Sequence, residues 1–401
     1  MTGHLPPPSA LLLAGALFAS LAARGEPSEE FPGCVAQLRS QATSQGIRAE
    51  VFDEAMRGIE VDAEVIDAMD RQPEFTLPIW EYIGMLVDRE RVVEGRRNLA
   101  SWSRLLGDIE RAYGVEREVV VAIWGVESKY GRNMGRRPLV RSLATASCFG
   151  RRQAFFRDEL VETLRIRQDG DMRAEDLAGS WAGAFGHTQF MPTTFRRLAV
   201  DFDGDGRRDL VGSVPDALAS TANYLRDAGW KRGAPWGYEV RLPRRYEGPS
   251  GRRTRKPLSE WAALGIRRWD ERRIAGEESA ALVLPAGVRG PAFLVFDNFF
   301  ASYRYNAAES YTLAIAHLAD RLRGGRAFRA PWPLDDPALS RSQRIDLQAG
   351  LAALGYDVGE PDGLIGPRTM DAIKQFQKSA GLAPDGYAGQ RLLKAVITTP
   401  L

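Results

Sequence analysis

Histidine and cysteine are scarce in this chain of 401 residues, which contains three histidines and two cysteines. His4 lies near the N-terminus, and His187 and His317 stand in unrelated contexts without the spacing of zinc ligands. A zinc peptidase is therefore disfavoured. The chain also lacks a strong net charge, because 54 Lys and Arg against 52 Asp and Glu give a formal charge of +2. This balance excludes a strongly basic nucleic-acid binder, and no nucleic-acid partner is expected.

Long apolar runs are missing after residue 25, so no transmembrane anchor is predicted. Residues 10–19 are apolar, and small residues follow them, which is the pattern of a secretory signal peptide. We predict a signal peptide over residues 1–25 and a periplasmic protein. No cysteine follows the apolar segment directly, so the chain is not an evident lipoprotein.

The two cysteines are Cys34 and Cys148. In an exported protein two thiols most simply form one disulfide. The alternative is a pair of free buried thiols. A catalytic cysteine is disfavoured because no histidine is near Cys148 in the sequence.

The length predicts two or three domains. The pattern along the chain predicts a mainly α (α+β) fold. Helical periodicity dominates residues 31–325, and its longest stretch runs from Trp80 to Leu106. Between about 238 and 300, three short apolar runs with Pro and Gly breaks indicate a small β-rich insertion. Gly324-Gly325 and the proline-rich stretch 330–337 are typical of a linker, which we place at residues 326–339. Residues 340–397 form a separate unit of three predicted helices.

A carboxylate interrupts one apolar helical stripe. Glu127 follows Val120, Ile123 and Trp124 at helical spacing, so it is predicted to lie on the apolar side of a helix. Partial burial disfavours the charged carboxylate and raises its pKa, as a general acid for glycosidic-bond cleavage requires. Lysozyme is the established example of that pattern. The alternative is a helix-end Glu paired with Lys129, Arg132 or another nearby Arg.

Two further stretches carry groups suited to a sugar ligand. The segment 179–192 combines small residues with polar Ser180 and Gln189, so it predicts either a ligand-contacting loop or a tight structural turn. Tyr303 to Asn306, followed by Tyr311, offers aromatic faces that stack on sugar rings and an amide that reads hydroxyl groups. The alternative for these tyrosines is a half-buried place in the core.

Together these three stretches resemble the membrane-bound lytic murein transglycosylase B family over about residues 31–325. The resemblance implies a lysozyme-like catalytic core, a helical domain and a small β domain, acting on bacterial peptidoglycan. Glu127 resembles the single catalytic acid/base of the family. The residues that fall where the family lines its glycan cleft are Ser180, Gln189, Tyr224, Tyr305, Asn306, Tyr311 and Tyr82.

The family mechanism implies cleavage of the MurNAc–GlcNAc β-1,4 bond without water. Glu127 would protonate the glycosidic oxygen and then help the C6 hydroxyl of the same muramic acid to attack C1, which gives a 1,6-anhydro end. No cofactor is required for this chemistry. A hydrolase normally needs a second carboxylate, and no motif supplies one beside Glu127. A hydrolytic muramidase and a non-catalytic peptidoglycan-binding scaffold are the alternatives.

Asp201, Asp203 and Asp205, with Gly206, match the first half of a calcium-binding loop. Arg207 occupies the seventh position, and Gly212 stands where the usual twelfth-position Glu is expected. Members of the resembled family close this loop with a later Asp, which implies Asp216 as the last ligand of a structural Ca²⁺. A metal-free Asp/Gly turn is the alternative.

The C-terminal unit resembles a three-helix peptidoglycan-binding module. The matching residues include Leu347-Gln348, Leu354-Gly355-Tyr356, Asp362-Gly363, Phe376-Gln377 and Asp385-Gly386. Such a module would hold the enzyme on the wall and raise the local concentration of cleavable bonds. The expected partners are peptidoglycan glycan strands, and cell-wall synthesis proteins are further candidates.

Overall fold

The computed structural model describes residues 27–69, 77–150 and 152–400, so the predicted signal peptide lies outside the described residues. The helices span Pro27–Ser44, Ala49–Ala55, Ala63–Ala68, Ile79–Leu86, Arg89–Ser101, Ser103–Tyr113, Arg117–Ser128, Leu139–Cys148, Gln153–Asp169, Pro192–Leu198, Val214–Asp227, Leu258–Ala263, Asp297–Tyr303, Glu309–Leu322, Arg341–Ala353, Pro367–Ser379 and Gln390–Thr398. The strands are β1 (Arg137–Pro138), β2 (Ala178–Gly179), β3 (Gly237–Arg241), β4 (Arg255–Pro257), β5 (Arg267–Arg268), β6 (Ser279–Val283) and β7 (Ala292–Val295). In the described part of the chain, no helix has the length and apolar character needed to cross a membrane.

The predicted helical stretch from Trp80 to Leu106 is divided between three helices. The first helix ends at Leu86, and Asp88 caps the second, because its side chain accepts a hydrogen bond from the Arg91 amide. The cap residue Trp102 separates the second helix from the third. The periodicity therefore predicted the helical character of this stretch but not its interruptions.

Two apolar cores hold the helical region together. The first surrounds Arg117–Ser128, whose residues Val120 to Ile123 are fully buried against the helices Glu309–Leu322 and Val214–Asp227. The second is built mainly by the N-terminal helices together with Leu139–Cys148 and Gln153–Asp169. A disulfide between Cys34 and Cys148 joins two helices of this second core, with Cα atoms 5.9 Å apart. The predicted disulfide is confirmed.

The β-rich insertion forms a five-stranded antiparallel sheet in the order β4-β6-β7-β3-β5. Its central strands are buried on both faces, because neighbouring side chains alternate between two cores. Leu282 and Leu294 pack into a core around Trp261, whereas Val283 and Val295 join the first helical core. The sheet is therefore fixed directly on the helical region.

The residues predicted as a linker lie against this sheet. Phe328 and Trp332 pack on the first core, and the amides of Arg329 and Ala330 donate to the carboxylate of Glu239 at 2.7–3.0 Å. The three C-terminal helices enclose a core of their own. This unit contacts the sheet region through hydrogen bonds from the Val288 amide to Asp385 (3.0 Å) and from Lys374 to the Ser250 carbonyl (3.0 Å).

Candidate functional site

The helix that carries Glu127 ends abruptly just after it. Lys129, Tyr130 and Gly131 follow with φ values of 51°, 60° and 87°, a left-handed run that non-glycine residues adopt only under constraint. The constraint comes from the ring of Tyr130, which folds back over Gly125 and donates to the Arg91 carbonyl at 2.7 Å. A Cβ on Gly125 would lie 2.7 Å from that ring, so the glycine in this motif is required by packing.

Glu127 is half-buried at this helix end and accepts a hydrogen bond from Tyr311. The phenol oxygen lies 2.5 Å from Glu127 Oε1 and comes from the helix Glu309–Leu322, which packs against the Glu127 helix. Tyr311 is 2% exposed. Burial and the nearby carboxylate raise the pKa of Tyr311 well above its usual value, so the phenol stays protonated and acts as a donor.

Three more aromatic side chains surround this pair. The Tyr305 ring stacks nearly parallel to Tyr311 with centroids 6.4 Å apart, and Tyr224 meets Tyr305 edge-on at 4.7 Å. Phe190 packs against both Tyr224 and Tyr305. Burial, followed by the charge of Glu127, raises the pKa of Tyr305 strongly. The predicted tyrosines of two separate sequence regions therefore meet beside Glu127.

The hydroxyl groups of Tyr305 and Tyr224 point to backbone carbonyls. Tyr305 donates to Thr188 and Tyr224 donates to Arg304, each at 2.6 Å. Tyr82 is buried in the first core, on a helix that packs against the helix of Tyr311. The role of Tyr82 in glycan binding stays a prediction.

The 179–192 segment is anchored to the end of the Glu127 helix. Ser128 Oγ donates to the His187 carbonyl at 2.6 Å, and Trp124 Nε1 lies 3.1 Å from His187 Nδ1. Burial lowers the pKa of His187, so its ring is held neutral and accepts from the indole. Sequence reasoning did not assign these three residues, although all lie inside the two motifs it singled out.

The predicted residues of this segment support its own turns. Gln189 adopts φ +51°, and its amide nitrogen donates to the carbonyls of Met134 (3.0 Å) and Gly186 (2.9 Å). Ser180 Oγ accepts from the Ala184 amide at 3.0 Å. Both side chains are half-buried, as is Asn306 on the neighbouring tyrosine loop. The turn is structural, and the ligand contacts of these residues stay predictions.

Arg132, one alternative ion-pair partner of Glu127, pairs with Glu90 and Glu94. Lys129 is exposed. The hydrogen bond from buried Tyr311 favours a positioned carboxyl group over a surface ion pair.

The aspartate loop brings three carboxylates together. Oxygens of Asp201, Asp203 and Asp205 lie within 4.8 Å of one another, and Gly204 and Gly206 make the turn with φ values of 79° and 87°. Both glycine amides donate to Asp201, at 2.7 and 2.8 Å. Three convergent carboxylates fit a hard cation such as Ca²⁺.

Asp216 has different partners from those expected of a closing ligand. It is fully buried, and its carboxylate accepts from the amides of Phe202 (2.7 Å), Asp203 (3.4 Å) and Asp209 (2.9 Å). It does not belong to the group of convergent carboxylates among the described residues. Asp216 therefore fixes the backbone of the loop through these three hydrogen bonds. Its role as a metal ligand stays a prediction.

Comparison with known proteins places this geometry in a family. The "Transglycosylase SLT domain" family matches residues 30–320, and a peptidoglycan binding domain family matches residues 340–396. Membrane-bound lytic murein transglycosylase B of Escherichia coli (strain K12) is 34% identical over 223 residues, which are 54% of this chain. The match spans 60% of the length of that curated relative.

Solved structures extend the likeness to nearly the whole chain. SltB3 from Pseudomonas aeruginosa, in complex with NAG-anhNAM-pentapeptide, is 47% identical and covers 92% of this chain and 99% of its own, with a TM-score of 0.88. The lytic transglycosylase Slt35 of Escherichia coli, in complex with calcium, is 28% identical and covers 72% of this chain and 92% of its own, with a TM-score of 0.65. The predicted resemblance and the mainly helical, lysozyme-like fold class are confirmed. The chain belongs to the SLT family of lytic transglycosylases and carries a C-terminal peptidoglycan-binding domain.

Proposed function

We propose that this protein cleaves the MurNAc–GlcNAc β-1,4 bond of peptidoglycan without water and leaves 1,6-anhydro-MurNAc ends during cell-wall remodelling. The observation that carries the proposal is the hydrogen bond from buried Tyr311 to half-buried Glu127 beside the cluster of Tyr224 and Tyr305. A carboxyl group held between a protein donor and an aromatic-lined face is suited to general acid and base work on a sugar.

In this mechanism the proton of Glu127 passes to the glycosidic oxygen, and the bond to C1 of muramic acid breaks. The carboxylate that remains is stabilised by the phenol of Tyr311. Glu127 then accepts the proton of the C6 hydroxyl as that oxygen bonds to C1, which restores the acid. Ser180, Gln189, Asn306 and Tyr82 would line the glycan site.

Mass spectrometry of digested sacculi tests the proposal. The wild type should release anhydro products, and Glu127→Gln should bind sacculi but release none. Glu118→Gln is the matched control, because Glu118 lies on the same helix and contacts Arg323 at 3.3 Å. Reducing-end muramic acid as the main product would show a muramidase instead. Unchanged cleavage by Glu127→Gln would reject Glu127 as the acid.

The same proposal places the protein in the periplasm, with residues 1–25 as signal peptide, 31–325 as catalytic region, 326–339 as linker and 340–397 as wall-binding module. N-terminal sequencing of the exported protein tests the first boundary. Limited proteolysis tests whether cleavage within 326–339 releases the catalytic region and the wall-binding module as stable units.

We further propose that the aspartate loop binds a structural Ca²⁺ through the carboxylates of Asp201, Asp203 and Asp205, with the backbone carbonyl of Arg207 and the carboxylate of Asp216 as further ligands. Calcium at a hundred times its Kd would then stabilise the fold by about 2.7 kcal/mol. Asp203→Asn should abolish the calcium-dependent rise in Tm, and its Tm in chelator should match that of the wild type in chelator. An equal rise in the variant would place the ion elsewhere.

A further inference from the structure

The positive charge of the protein is concentrated in its β-rich insertion. Residues 238–300 contain twelve Arg and Lys against eight Asp and Glu, whereas the whole chain has a formal charge of only +2. The remainder of the chain is therefore slightly acidic. Such a local excess favours an anionic ligand at this part of the surface.

Part of this charge lines a cleft of about 800 Å³ between the sheet region and the C-terminal unit. Four arginines line it (Arg241, Arg244, Arg245 and Arg289), with Glu247 as the single acidic residue among its described lining. Trp269 and Tyr246 supply aromatic surface, and Gly381 and Ala383 come from the peptidoglycan-binding domain. The volume lies within the range of ordinary ligand pockets.

The four arginines are not equivalent. Arg241 pairs with Glu271 and lies 5.1 Å over the Trp269 ring, and Arg289 pairs with Asp335 at 2.9 Å. Arg244 and Arg245 are exposed, and neither forms an ion pair with any described residue. Arg241 and Arg289 are therefore held in the wall of the cleft by their ion pairs, and Arg244 and Arg245 are available for a ligand.

Arg245 also occupies a backbone conformation that disfavours it. Its φ of +54° lies in the left-handed region, where glycine is the least strained residue. Strain of this kind is retained where a side chain is needed at a fixed place. The turn places two adjacent arginines in the lining of one cleft.

We propose that this cleft binds the acidic peptide stem of peptidoglycan through Arg244 and Arg245. The stem carries free carboxylates, and the guanidinium fork matches a carboxylate with two parallel hydrogen bonds. The opposite wall belongs to a peptidoglycan-binding domain, and a recessed cleft with aromatic walls suits a short peptide better than a flat membrane surface. The inference deepens the proposed function, on which its biological meaning rests.

Titration calorimetry on the full chain tests the proposal with a sugar-free stem pentapeptide as probe. Arg244→Gln/Arg245→Gly removes both charges, and glycine relieves the backbone at position 245, so folding is preserved. We expect about tenfold weaker binding, with the affinity of the wild type falling as salt rises. Arg97→Gln/Arg104→Gln is the charge-matched control, because both residues are exposed and unpaired among the described residues.

Three results would overturn the inference. The first is a double variant that binds the stem as tightly as the wild type. The second is equal affinity for a stem with amidated carboxylates, and the third is binding that depends on the arginine pair only with phosphatidylglycerol vesicles. Cleavage of peptide-free glycan strands by the double variant should equal that of the wild type. Absence of cleavage by the wild type would reject the proposed function, but the calorimetric test of peptide binding would still be interpretable.

Discussion

Replacement of Tyr311 by Phe tests the catalytic geometry most directly. The ring keeps its place in the core, and only the hydroxyl that donates to Glu127 at 2.5 Å is lost. As Glu127 gives up its proton, negative charge develops on the carboxylate that Tyr311 stabilises. A hydrogen bond to a charged group contributes about 1.5–3 kcal/mol, so kcat should fall roughly 10- to 150-fold if the full stabilisation acts in the transition state.

The pH dependence gives a second readout for Tyr311→Phe. Loss of the donor makes the carboxylate less favourable relative to the acid, so the acid keeps its proton to higher pH. The alkaline limb of the pH–rate profile should therefore move to higher pH in the variant. Steady-state cleavage of purified glycan strands across pH measures both effects.

Tyr130→Phe is the matched control for this experiment. Its phenol is also buried and hydrogen-bonded, but to the Arg91 carbonyl at 2.7 Å rather than to Glu127. This control should lower Tm through loss of one hydrogen bond, about 1 kcal/mol, and leave the pH profile unchanged. A Tyr311→Phe enzyme with wild-type kcat and pH profile would refute the reasoning, as would an equal kinetic loss in Tyr130→Phe.

Three further predictions concern stability. Gly125→Ala should lower the free energy of unfolding by about 1–3 kcal/mol, because its Cβ would lie 2.7 Å from the Tyr130 ring; an unchanged Tm would contradict that contact. Removal of the Cys34–Cys148 disulfide, which closes a loop of 114 residues, should cost about 2–5 kcal/mol, measured as the fall in denaturant midpoint on reduction. Burial lowers the pKa of His317 to about 4, so the unfolded chain binds the extra proton between about pH 6.5 and 4 and stability falls by about 3 kcal/mol as pH drops through that range. A His317→Gln variant should lose less stability than the wild type over the same range in acid denaturation, and equal losses would exclude this histidine as the cause.

The strands of the insertion show which elements a local sequence pattern can predict. The apolar runs at 239–243, 280–284 and 292–296 correspond to β3, β6 and β7 within two residues at each end. β4 was not predicted, because Arg255-Lys256-Pro257 is polar and contains a proline. It is a strand only because it pairs with Ala281 and its neighbours along β6. Propensity is weak for such an edge strand, and tertiary pairing decides it.

In the site, too, some features could be predicted from the sequence and others depend on tertiary contacts. Burial of Glu127 beside an apolar stripe could be predicted from helical spacing, because that spacing places Val120, Ile123 and Trp124 on its face. The role of His187 could not, since its partners Trp124 and Ser128 lie about sixty residues away in the chain. A lone histidine in a sequence carries no signal of a neutral, buried acceptor.

Helical and strand periodicity, the aspartate spacing and the count of two cysteines were determined by the sequence itself, since each depends on neighbours a few residues apart or on composition. Tertiary structure alone decided which donor meets Glu127, because Tyr311 is 184 residues away and reaches it only through packing of two helices. It also decided that the residues between the two matched families lie against the sheet, where the carboxylate of Glu239 accepts their amides. Contacts of that range depend on how whole faces are buried together, and no local pattern encodes them.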